Sequence, residues 1–138
     1  MGRFTTEQDV YDHIGRVIAE LVDDPRLGSQ IQRANTVVQY RCTSPSATIT
    51  VDVRADVEPR VVFGPTDLVP EIVMAMDADT AHRLFLGDVN VVVALTRGLI
   101  TAEGPSWKIL KLVPLVKPAF PRYRALVEAD GRAGLVHA

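Results

Sequence analysis

The chain of 138 residues contains one cysteine, Cys42, which excludes an intrachain disulfide and a zinc site built on cysteine spacing. A reducing cytoplasm is the compartment expected from that usage. No apolar run approaches the roughly 20 residues of a spanning helix, and the opening MGRFTTEQD lacks the apolar stretch of a signal peptide. Neither sign of charge dominates: the formal net charge is -2, which gives no reason to expect nucleic acid as a partner. Hydrophobic residues at 47% and charged residues at 23% are ordinary for a soluble globular protein, so disordered and fibrous classes drop out. The length fits one compact domain over 1–138, with a core from about residue 5 to 128 and a loose tail over 131–138.

Catalytic patterns are also missing. No serine stands in a G-x-S-x-G elbow, and His13, His82 and His137 are expected on a helix exterior, on a short helix and in the tail, so no triad forms. Asp77 and Asp79 open a helix, where carboxylates act as caps and complement the helix dipole. Gly98 and Gly104 lack the strand-turn-helix setting of a dinucleotide fingerprint and read as turn residues. Cys42 alternates with Val38 and Tyr40 and is expected as a buried, inert thiol. No catalytic residue, metal or cofactor is implied. Met1-Gly2 with Thr6 matches the bare N-myristoylation pattern, but Thr6 with Asp9 also makes a capping box, which is the reading adopted.

What is present is a change of period along the chain. Val10, Ile14, Val17, Ile18 and Leu21 fall on one 3.6-residue stripe, predicting a helix that ends near Asp24-Pro25. After the less regular RLGSQIQRAN, the period becomes 2: Val38, Tyr40 and Cys42 alternate with Gln39 and Arg41, and Ile49, Val51 and Val53 with Thr48, Thr50, Asp52 and Arg54. TSPS between them reads as a hairpin loop. A third strand is expected over Arg60–Phe63, and a fourth carries Ile72, Met74 and Met76 on one face. Asp77 and Gly87 bracket a helix, and Asp88 and Gly98 a second one despite the β-branched Val91-Val92-Val93. A fifth strand over Leu99–Glu103 follows.

Trp107, Ile109, Leu110, Leu112 and Val113 then cover far more than the usual apolar arc of about 100° on a helix, with Lys108 and Lys111 close together as the only charges. Pro114 and Pro118 interrupt this segment, and Pro121 is placed to start a last helix, RYRALVEA, stopped by Gly131. A helix so apolar on nearly every side has a second apolar surface to cover.

From Ile72 to Leu115 the residues resemble the sterol carrier protein domain, a nonspecific lipid-transfer family. The strand and acidic cap IVMAMDADT, the Gly-terminated helix HRLFLGDVN, the segment ALTRGLITAEG and the apolar KILKLVPL carry the resemblance. It implies an α+β fold: a five-stranded, mostly antiparallel sheet covered on one face by helices, with an apolar tunnel that accepts a fatty acid, fatty acyl or sterol-like ligand. Val136-His137-Ala138 is no peroxisomal tripeptide, which favours a bacterial-style cytoplasmic protein over a eukaryotic sterol carrier.

Met74, Met76, Phe85, Val92, Val93, Trp107, Leu110 and Val113 are the expected lipid-binding residues. Residues 97–124 hold Arg97, Lys108, Lys111, Lys117, Arg122 and Arg124 against Glu103 alone, a net +5 within a chain of -2. Lys108, Lys111, Lys117, Arg122 and Arg124 are therefore expected as a basic lip for anionic headgroups, the phosphates of an acyl coenzyme A or an anionic membrane surface. Two other readings remain open: an accessory module of lipid or quinone metabolism that docks a partner protein, and a small isomerase or hydrolase of a hydrophobic substrate. The absence of a paired acid and base weighs most against the last.

Overall fold

A computed structural model describes residues 4–129. Thr6 caps the first helix by accepting a hydrogen bond from the Asp9 amide at 3.1 Å, and Asp9 Oδ2 accepts in return from the Thr5 amide at 3.0 Å. From there α1 (Glu7–Val10), a π-helical stretch (Tyr11–Gly15) and α2 (Arg16–Asp23) run on without a break. The apolar stripe Val10, Ile14, Val17, Ile18 and Leu21 is buried throughout, as its spacing predicts.

His13 departs from expectation: it is buried, not exterior, with Nδ1 2.7 Å from the Asp9 carbonyl and its ring against Phe4. His13 stands three residues after Val10 and four before Val17, at the margin of the buried stripe, and the Phe4 ring packs on it. The passage after Asp24 is also more regular than expected. It forms α3 (Pro25–Gln32), with the Asp24 carboxylate accepting from the Arg26 and Leu27 amides at 3.0 Å each and Pro25 in the first turn.

Strands β1 (Val37–Thr43), β2 (Ala47–Asp52), β3 (Arg60–Phe63), β4 (Ile72–Asp77) and β5 (Thr101–Glu103) form one sheet in the order β3-β2-β1-β4-β5. Only the central β1–β4 pair is parallel; the other three pairings are antiparallel. The connection 64–71 therefore carries the chain from the β3 edge past β2 and β1 to β4. Register places the apolar residues in rows, Val51–Val38–Ile72, Ile49–Tyr40–Met74 and Ala47–Cys42–Met76. This face packs against the helices. The opposite face carries Gln39, Thr50 and Arg41, joined by a Gln39 Nε2 bond to Thr50 Oγ1 at 3.0 Å and an Arg41 Nε bond to Gln39 Oε1 at 2.6 Å.

Helix α4 (Ala78–Leu86) starts where Asp77 Oδ1 accepts from the Thr80 amide at 2.7 Å and ends at Gly87, whose φ of 86° is the left-handed conformation of a helix C-terminus. A Cβ on Gly87 would lie 2.9 Å from the Phe120 ring, so small size is required as well. Helix α5 (Val91–Thr96) forms despite its β-branched run, and the cap is Asn90, not Asp88: Asn90 Oδ1 accepts from the Val93 amide at 3.1 Å. Helix α6 (Ser106–Leu112) passes into a 3-10 turn (Val113–Val116), where Pro114 breaks the α pattern, and α7 (Ala119–Ala129) begins two residues before Pro121. The expected stop at Gly131 and the tail over 131–138 lie outside the described residues.

Candidate lipid cavity

An apolar cavity of about 60 Å3 lies between the sheet and the helices. Its sheet wall is Val38, Tyr40, Val51 and Val53, α2 contributes Ile18, Leu21 and Val22, α4 contributes Phe85, and Leu112, Leu115 and Val116 close it from the C-terminal side. The alternation of β1 and β2 and the stripe of α2 aim these side chains at one another. A second space of about 20 Å3 shares Tyr40, Leu112 and Val116 with the first and adds Met74, Leu84, Val91, Ile109 and Val113. Beyond it, Leu84, Val91, Val113 and Val116 also border an open groove of about 370 Å3 that reaches Gly87, Asn90, Lys117 and Phe120. Leu112 and Val116 thus divide a series of apolar spaces running from the sheet to the surface.

The expected lipid-binding set is split by this geometry. Phe85 lines the larger cavity, Met74 and Val113 the smaller one, and Met76 is buried on the same sheet face. Trp107, Leu110, Val92 and Val93 face outward at 64%, 59%, 54% and 46% exposure and line neither space. A helix apolar on most sides carries no phase information, so its sequence alone does not show that Ile109 and Leu112 point inward and Trp107 and Leu110 outward. Most of the wall, including Ile18, Leu21, Val38 and Val51, was legible only as core; the stripe of α2 and the alternation of β1 and β2 were the signals that pointed to it.

The expected basic lip is divided as well. Lys108 Nζ donates to Glu71 Oε1 at 2.8 Å and to the Asn35 carbonyl at 2.9 Å, and Arg122 Nη2 donates to Asp24 Oδ2 at 2.6 Å. These two side chains tie the C-terminal elements to the rest of the fold. Lys108 and Thr36 Oγ1, 2.6 Å away, hold the Glu71 carboxyl below the usual carboxylate range. The Leu27 amide first, then Arg122, lower that of Asp24. Lys111, Lys117 and Arg124 form no ion pair among the described residues, and Lys111 and Lys117 are exposed.

Burial pushes the Tyr40 phenol up to about 12, and burial followed by the Asp77 charge pushes the Cys42 thiol up to about 11. His82 Nδ1 lies 2.6 Å from the Tyr123 hydroxyl inside the core. Among the described residues no group of three or more His, Cys, Asp or Glu side chains could hold a metal ion, and no helix is long and apolar enough to cross a membrane.

No family model and no curated protein matches the chain. Solved structures do. Sterol carrier protein domain 2 of Helicoverpa armigera is 14% identical with a TM-score of 0.66, covering 88% of this chain and 94% of that one. Sterol carrier protein 2 of Yarrowia lipolytica, in its apo form, is 17% identical with a TM-score of 0.64 over 86% and 95%. Palmitated sterol carrier protein 2-like 2 of Aedes aegypti is 17% identical with a TM-score of 0.55 over 75% and 94%. The five-stranded sheet with one parallel pair, covered on its apolar face by helices, is the sterol carrier protein fold.

Proposed function

We propose that the chain is a lipid-binding domain that holds one acyl chain, from a fatty acid or a fatty acyl derivative, between its sheet and its helices. The observation that carries this reading is the series of apolar spaces on either side of Leu112 and Val116. The palmitate in the Aedes aegypti structure lends support by fold likeness. A space of about 60 Å3 accommodates only a few water-sized groups at roughly 10–15 Å3 each, so a sixteen-carbon chain requires Leu112 and Val116 to part and join the spaces. Narrow, branched space of this kind suits a flexible chain better than a rigid steroid. Each buried methylene contributes about 0.8 kcal/mol, so affinity should rise with chain length until the joined space is full. Ordering and association costs of roughly 4–15 kcal/mol leave micromolar binding as the expectation for a long chain.

The outward side of α6 is the proposed contact with a lipid bilayer. Trp107, Leu110 and Lys111 follow the i, i+3, i+4 spacing of one helical face, while Ile109 and Leu112 of the same helix line the smaller space. Exposed tryptophan suits the headgroup level of a bilayer, and the exposed positive charge of Lys111 and Lys117 complements anionic lipid. It also disfavours pairing of this face with a second copy of itself.

Native mass spectrometry with saturated fatty acids of increasing length tests the cavity. One-to-one adducts that strengthen with length support it. Absence of any adduct at micromolar concentration would overturn it and favour the partner-docking reading.

A further inference from the structure

Among the described residues twelve line the larger cavity, and Tyr40 alone of these has a side-chain nitrogen or oxygen. The same is true of the eight lining the smaller one, where Met74 adds only a weakly accepting sulfur. Tyr40 stands where the two spaces meet. Its hydroxyl makes no hydrogen bond to any described residue and is not sealed into packing. Two polar pairs elsewhere in the fold are matched within the protein, His82 with Tyr123 and Gln39 with Thr50. Tyr40 is half-buried, so in the empty protein this hydroxyl is within reach of water and can exchange that partner for an oxygen of a ligand.

We propose that the Tyr40 hydroxyl donates a hydrogen bond to a neutral oxygen of the bound lipid, so that the cavity selects apolar chains bearing an alcohol, ester or ketone oxygen over plain hydrocarbon. The proposal rests on the lipid-binding reading and names the chemical class of its ligand. The phenol is a donor at every physiological pH, since a tyrosine ordinarily titrates at about 10 and burial raises this one further. A neutral acceptor is required because no cationic side chain among the described residues lines either space, and a carboxylate there would be an uncompensated charge. A fatty acid would instead leave its carboxylate in the open groove beside Lys117, with only its tail reaching Tyr40.

Binding of dodecane, 1-dodecanol and methyl dodecanoate to the wild-type chain and to Tyr40→Phe tests this. The wild-type chain should bind the two oxygenated probes about five- to tenfold more tightly than the variant does, the worth of one hydrogen bond, while dodecane binds both alike. The carbonyl stretch of bound methyl dodecanoate supplies a second readout that works on the wild-type chain alone. A shift to lower frequency than in hexane marks the hydrogen bond, and an unshifted band overturns the proposal even if the variant does not fold. An equal loss of all three probes in the variant would make Tyr40 a plain wall residue and overturn it too. Failure of the wild-type chain to bind any probe would instead overturn the lipid-binding reading on which it rests.

Discussion

Lys108 Nζ lies 2.8 Å from Glu71 Oε1, which joins the helix whose inner side closes the cavity to the connection that enters β4. Glu71 is held below the usual carboxylate range by that contact first and by Thr36 second. A depressed carboxylate stabilises the fold above the ordinary glutamate value of about 4.3, and the contribution is lost as pH falls through the lower folded value. Glu71→Gln should therefore cost up to about 1 kcal/mol at pH 7, as expected of a partly exposed pair, and less at pH 3. Urea unfolding of both proteins at the two pH values measures the difference. A cost independent of pH would show that the carboxylate charge is not its source.

Phe85 is fully buried and lines the larger cavity. Phe85→Ala should cost about 3–5 kcal/mol, the usual range for deleting a core ring. Chain binding should survive in the folded variant, because the vacated volume opens onto the existing space. Denaturant unfolding and ligand titration on one sample separate the two effects, and a loss below about 1 kcal/mol would remove Phe85 from the core.

At Gly87 two penalties coincide, a left-handed φ of 86° and a Phe120 ring 2.9 Å from the place of a Cβ. Gly87→Ala should cost at least about 1–2 kcal/mol from the backbone alone, and more as Phe120 is displaced. Gly98 provides the comparison: its φ is 75°, yet nothing lies within 4 Å of an added Cβ. Alanine there should cost less in the same unfolding experiment.

The Cys42 thiol is buried and pushed up to about 11. At pH 8 only about one molecule in a thousand would carry the thiolate, the nucleophilic form. Reaction with a disulfide reagent should be slow in the folded protein and become fast once denaturant opens the core. Prompt reaction under native conditions would show that β1 opens locally.

Lys111→Glu with Lys117→Glu reverses two exposed cations that form no ion pair among the described residues. Each basic group near an anionic bilayer is worth about 1 kcal/mol, so the double variant should lose its preference for phosphatidylserine vesicles over neutral ones. Lys111→Glu alone, at a residue that borders none of the apolar spaces, should leave dodecanol binding in solution unchanged. Lys108→Glu would confound the experiment by breaking the contact to Glu71. Equal sedimentation of the wild-type chain with both vesicle types at low salt would end the bilayer reading of α6.

Where a residue's surroundings are set by its near neighbours, the sequence was readable. The stripe of α2, the alternation of β1 and β2 and the caps Thr6, Asp77 and Gly87 all place groups within a few residues of one another. Helix α3 was equally local, its signal being a capping aspartate followed directly by Pro25, and it was hidden only by weak periodicity after Leu27. Of the residues around the cavity, Met74 and Phe85 lie in patterned segments, whereas Val113 lies in the apolar segment whose sides the sequence does not distinguish. The pairing of Lys108 with Glu71, 37 residues away, and of Arg122 with Asp24, 98 residues away, has no local signature. The inward and outward sides of α6 are likewise decided by what packs beside it.

Gly15 brings the helix close to Phe63: a Cβ there would stand 2.7 Å from the ring, which stacks on Tyr11 at 5.0 Å with the planes 2° apart. Phe63 ends β3, one margin of the sheet, and β5 forms the other margin with only three residues. A foreign strand seeking unpaired backbone finds four residues on one side and three on the other, and an aromatic clasp fastens the longer of the two to the helical layer. Fibril growth by strand addition therefore has little template on the folded chain, and a larger residue at position 15 would loosen that clasp and expose the β3 margin to it.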